Sequence, residues 1–111
     1  MKPEVKKHLY DIKTAIESID EYLGNERDFI KYEKNKIIRR AVEREIEIIG
    51  EATNRILKIE NKIVIENARK IVDTRNWVIH AYDSVDNTII WGIVTIHLPK
   101  LLVEVEQFLE K

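Results

Sequence analysis

Arg75, Asn76, His80 and Tyr82 fall within one stretch of eight residues, Arg75-Asn76-Trp77-Val78-Ile79-His80-Ala81-Tyr82, and together they offer the groups that phosphate-ester chemistry needs. A guanidinium binds phosphate oxygens through a planar, bidentate fork. An imidazole titrates near neutrality and moves protons as general base or acid, provided a neighbour fixes its tautomer. On a helix, His80 stands about 140° around the axis from Arg75 and roughly 7.5 Å along it. Asn76 then lies one turn before His80, where it can orient the imidazole, and Tyr82 lies two turns after Arg75 on the same face.

That face is otherwise apolar: Ala68, Ile71, Val72, Ile79 and Tyr82 share it with Arg75. A cation there needs hydrogen-bonded anionic partners, because breaking a buried pair costs on the order of 3–5 kcal/mol. Two readings stay open at this point. The partner is internal, with Glu51 as a candidate, or the guanidinium is held ready for phosphate.

The surrounding pattern predicts the scaffold. Three Gly and two Pro in 111 residues are too few to punctuate a many-stranded sheet. Val5, Leu9, Ile12, Ile16, Ile19 and Leu23 form one helical stripe stopped by Gly24-Asn25, since apolar residues at alternating three- and four-residue steps line one side of a helix. A charged stretch from Glu26 to Lys36 leads into a second run carrying Ile38, Val42, Ile46, Ile49, Ala52, Ile56 and Ile59 on one side. After the polar break Glu60-Asn61-Lys62, a third helix is expected from about Ile63 to Tyr82. A fourth is expected from about Asn87 to the end, N-capped by Asp83, Ser84 or Asp86. Pro99 falls inside it, yet Val94, Leu98, Leu101, Leu102, Val105 and Phe108 keep the period, which predicts one kinked helix. The expected fold is all-α: an antiparallel bundle of four main helices with room for a short extra one, forming a single domain over residues 1–111. Its broad apolar stripes favour pairing with a second copy.

Composition narrows the chemistry further. Nineteen Lys and Arg balance twenty Asp and Glu, which argues against a dedicated duplex-binding protein and makes any nucleic-acid contact local. No cysteine is present, so thiolate metal sites and a Cys nucleophile are excluded. The three scattered histidines, His8, His80 and His97, predict no metal site and no cofactor. Lys34, Lys36, Arg39, Arg40 and Arg44 face one acid, Glu43, over eleven residues. Such a run could guide an RNA backbone, although solvated helix faces also carry lysines. Trp77 and Trp91 suit base stacking or, more commonly, a core. No apolar run approaches the roughly 20 residues that span a bilayer, and no signal-peptide core follows Met1-Lys2-Pro3-Glu4, so a cytoplasmic protein without a membrane partner is expected.

The stretch Arg75 to Tyr82 resembles the Arg-x4-His-x-Tyr motif of HepT-like toxins in the HEPN superfamily, with Asn76 also matching. Arg44-Glu45-Ile46-Glu47-Ile48-Ile49-Gly50-Glu51-Ala52 is similar to that family's Arg-x-x-Glu-Ile-Ile-Gly-Glu-Ala signature. Val85-Asp86, Trp91, Ile93-Val94 and Leu98-Pro99-Lys100-Leu101 resemble its final helix. One departure precedes the motif: relatives often carry Pro and Trp where this chain reads Ile65-Glu66-Asn67-Ala68.

The resemblance implies a homodimeric toxin of a type VII-like toxin–antitoxin system, a metal-independent endoribonuclease with Arg75 and His80 as its catalytic pair. It also implies a cognate nucleotidyltransferase of the MntA type as antitoxin, transferring AMP from ATP onto Tyr82. Arg44 matches a family position and is a candidate phosphate contact. Glu51 matches another and reads as support for Arg75, while Gly50 reads as a close-contact point for the third helix. The alternative is a non-catalytic helical subunit that binds nucleotide or docks on a nucleotidyltransferase.

Overall fold

The computed structural model describes residues 1–25, 27–80 and 87–110, and for 74–80 the backbone alone. The described chain is helical. Helix α1 (Pro3–Leu23) starts with Pro near its first position and buries Val5, Leu9, Ile12, Ala15, Ile16 and Ile19. It stops where the stripe predicts: Gly24 adopts φ +66° and its amide donates to the Asp20 carbonyl at 2.9 Å, a left-handed backbone that glycine takes without strain.

The charged stretch holds the short extra helix, α2 (Phe29–Lys34). Asp28 caps it by accepting from the amides of Ile30 and Lys31 at 3.0 and 3.2 Å. Asn35 then closes α2 and opens α3 (Lys36–Ile59), its side chain accepting from the Ile38 amide at 3.1 Å. Helix α3 buries Val42, Ile46, Ile49, Gly50, Ala52, Thr53 and Ile56, and ends at the expected Glu60 break. The buried Thr53 hydroxyl is satisfied by the Ile49 carbonyl at 2.8 Å.

Helix α4 runs Glu66–His80, three residues shorter at its start than the periodicity from Ile63 suggests. Ile65 is buried just ahead of the helix, so its apolar side chain serves the core without joining α4. Tyr82 and the expected caps Asp83, Ser84 and Asp86 lie outside the described residues.

The last run is helical from Asn87 to Leu109, though not as a simple kinked helix. It comprises α5 (Asn87–Gly92), a π-helical turn (Ile93–His97) and α6 (Leu98–Leu109). Proline lacks an N–H and its ring crowds the carbonyl four residues back. The widened turn just before Pro99 accommodates both effects, with the Leu98 amide reaching the Ile93 carbonyl. Thr95 adds a hydroxyl bond to the Trp91 carbonyl at 2.8 Å.

By length and composition this 23-residue run could cross a membrane, which corrects the reading that nothing in the chain approaches such a span. Its inner face is spent on the core: Ile90, Ile93, Val94, Leu98, Leu101 and Val105 are buried. Helices α1 and α3 form the central pair, with α4 laid on α3 and α6 on α1 and α4.

Candidate functional site

Arg75, Asn76 and His80 all lie on α4. Their backbone is helical, so the spacing argued from sequence applies to them, while their side chains and Tyr82 are outside the described residues. What positions them is visible. Ala68 and Ile71, on the first turns of α4, are fully buried and hold it against α3, the helix that carries Arg44, Gly50 and Glu51.

Arg44 Nη1 stands 3.1 Å from Glu47 Oε2 and 3.7 Å from Glu51 Oε1, and the arginine side chain remains 60% exposed. Its charge is therefore shared with carboxylates of its own helix yet open to solvent. Gly50 is buried on the inner side of α3.

The basic run divides by environment. Lys34, Lys36 and Arg40 are exposed, whereas Arg39 is half-buried with its Nε lacking a partner among the described residues. Near it, burial pushes the Tyr32 phenol far above its ordinary range, and the Glu43 carboxylate adds to the effect. Burial likewise raises the Glu43 carboxyl above the usual carboxylate range, against the pull of Arg40 and Arg39.

Trp91 packs into this corner, its ring 5.2 Å from Tyr32 and 5.9 Å edge-on from Phe29. It is half-buried and joins α5 to α2, the core role that is the commoner one for such a residue. The side chain of Trp77 lies outside the described residues. His97, to which its spacing assigns no role, has a buried Nδ1 without a hydrogen-bond partner among the described residues. Burial, followed by Lys70 and Lys100, lowers its pKa. Among the described residues, no group of three His, Cys, Asp or Glu side chains is arranged to hold a metal ion.

Sequence reasoning misses one residue at the far end of the helix that carries the site. Glu104 of α6 caps the start of α4. A signal for it exists: Glu104 shares a helix face with Leu101, Val105 and Phe108, and a carboxylate on an apolar stripe demands a partner as surely as Arg75 does.

Residues 12–108 match the protein family described as Ribonuclease HepT-like. A Methanocaldococcus jannaschii protein named "Putative RNase" is 37% identical over 106 residues, covering 95% of this chain and 96% of its own. A second protein of that organism with the same designation is 30% identical over 110 residues, covering 98% and 94%. A Thermococcus cleftensis protein named "Probable ribonuclease HepT" is 36% identical over 102 residues, covering 91% and 92%. No solved structure gives a significant match.

Proposed function

We propose a function from one premise: the chain belongs to the ribonuclease HepT-like family. It is the toxin of a type VII-like toxin–antitoxin pair, a metal-independent endoribonuclease acting on cytoplasmic RNA. The observation that supports this reading is the continuity of α4 from Glu66 to His80, which carries Arg75 and His80 on one rigid element.

RNA brings its own nucleophile. His80 takes the proton of a 2′-hydroxyl as that oxygen attacks the adjacent phosphorus. The bond from phosphorus to the 5′-oxygen then breaks, and the leaving oxygen is protonated. Arg75 holds the crowded, doubly charged phosphorane between these steps. The products are a 2′,3′-cyclic phosphate and a 5′-hydroxyl. Asn76 orients the imidazole, Arg44 steadies a neighbouring phosphate, and Glu51 supports the arginines.

One imidazole does not easily reach both the attacking 2′-oxygen and the 5′ leaving oxygen on the far side of the phosphorus, so a homodimer supplies the second from the partner subunit's His80. Ile89, Ile96 and Val103, spaced every seven residues along the last helical run, are 41%, 53% and 54% exposed. Exposed apolar side chains of this kind are suited to a second copy.

Control acts at Tyr82. The MntA-like antitoxin delivers AMP from ATP: the phenolic oxygen attacks the α-phosphorus, pyrophosphate leaves and the phenolic proton is lost. The resulting phosphodiester anion occupies Arg75 in place of substrate.

The test is intact mass before and after incubation with ATP, Mg²⁺ and the nucleotidyltransferase, followed by RNA cleavage by both forms in EDTA. Addition of AMP units at Tyr82 together with loss of metal-free cleavage is the expected result, and His80→Ala should then abolish cleavage while preserving RNA binding. Unmodified protein that binds nucleotide but leaves RNA intact would make the chain a docking or nucleotide-binding subunit instead.

A further inference from the structure

The first turn of any helix leaves backbone N–H groups without intrahelical partners, and among the described residues no side chain next to α4 in sequence takes them. The residue ahead of it is Ile65, which offers only its carbonyl, to the amides of Ala68 and Arg69 at 3.1 and 3.3 Å. The acceptor arrives from another helix. Glu104 Oε2 on α6 accepts from the Glu66 amide at 3.1 Å, and Oε1 accepts from the Asn67 amide at 3.1 Å. The Asn67 side-chain amide also donates to Oε1. One carboxylate thus holds the first two amides of α4, at the end where a helix favours negative charge.

We propose that Glu104 is a positioning residue for RNA cleavage, fixing the orientation of the helix that carries Arg75 and His80; the catalytic part of this rests on the function proposed above. The nitrogens of two adjacent amides stand about 100° apart around a helix axis. Gripping both therefore fixes rotation as well as axial position. The apolar contacts of Ala68 and Ile71 are non-directional and permit small slides and tilts. Residue 80 lies roughly 21 Å from residue 66 at ideal rise, so a tilt of about 5° at the anchored end moves it by nearly 2 Å. Misplacement of catalytic groups on that scale costs on the order of a hundredfold in rate.

The experiment uses Glu104→Gln in the full chain, well below the melting temperature of either protein. Glutamine keeps the shape but turns one acceptor into a donor facing the α4 amides. Single-turnover RNA cleavage should fall about tenfold to a hundredfold with RNA affinity unchanged. Amide exchange should quicken over 75–80 and stay unaltered in α1 and α3. Combining Glu104→Gln with Asn67→Asp lets the introduced glutamine amide donate to the introduced carboxylate, remaking the link with roles exchanged, and should recover most of the lost rate.

A cap with only a structural role would lower the melting temperature and leave cleavage by the folded chain untouched; that result overturns the proposal. If the wild-type chain itself fails to cleave RNA, the ribonuclease reading falls and the catalytic part of this proposal with it. The anchoring is then judged by exchange alone, where equal protection of 75–80 in both proteins overturns it.

Discussion

Arg44 and Glu51, seven residues apart on α3, approach to 3.7 Å through the same guanidinium nitrogen that meets Glu47 at 3.1 Å. Pairs this exposed stabilise a protein by about 0.2–1 kcal/mol at most. Arg44→Gln should therefore shift the denaturation midpoint only slightly. If Arg44 contacts phosphate, the same change should weaken RNA binding and lower the slope of log affinity against log salt by about one. Binding titrations at several salt concentrations check this, and an unchanged slope removes Arg44 from the RNA-contacting surface.

Glu43 makes a prediction with a definite pH sign. Its side chain is 12% exposed, with Arg40 at 3.8 Å, and burial outweighs the two arginines, so its folded-state pKa is raised. The native chain then holds the proton more tightly than the unfolded chain does. Stability from this group is complete below the unfolded pKa and declines as pH rises through the folded value. Glu43→Gln should accordingly gain stability relative to wild type between acid and neutral pH. Thermal melts of both proteins across that range give the readout, and a difference that shrinks as pH rises contradicts the assignment.

The caps of the short corner helix should carry measurable energy. Asp28 accepts two amides of α2, and Asn35 accepts the Ile38 amide of α3. Replacing either with Ala should cost about 0.5–2 kcal/mol in urea denaturation. Asp28→Ala should also alter the near-ultraviolet dichroism of Trp91, because α2 presents Phe29 and Tyr32 to that ring.

These caps show which parts of the fold can be read locally. Gly24 ends α1, and Glu60 ends α3, because each stop is decided by residues within a turn of it. Periodicity misplaces the start of α4 because its capping acceptor sits 38 residues away on α6, while Ile65, three residues before Ala68, mimics helical spacing. The π-helical turn escapes for a different reason. The buried Ile90, Val94, Leu98 and Leu101 keep the three- and four-residue steps of an α-helix across it, so periodicity alone cannot register the changed hydrogen bonding. At the site, Arg75 and His80 stand out by type and position. Their partners depend on tertiary placement that spacing does not encode.

The pairing of two chains can be tested without touching the catalytic residues. Ile96 is 53% exposed on the π-helical turn, between Ile89 and Val103. Substitutions at such surface positions change the stability of a single chain by about 0.5 kcal/mol or less. A carboxylate in the middle of an apolar interface is costly, because it is desolvated without a partner. Ile96→Glu should therefore leave helical content and chain stability close to wild type while sedimentation velocity shows a shift from dimer to monomer. Cleavage should disappear with the dimer, since each monomer would retain only one His80 for two proton transfers. An Ile96→Glu protein that remains dimeric would move the interface away from Ile96, and a monomer that still cleaves RNA would show that two imidazoles are not required.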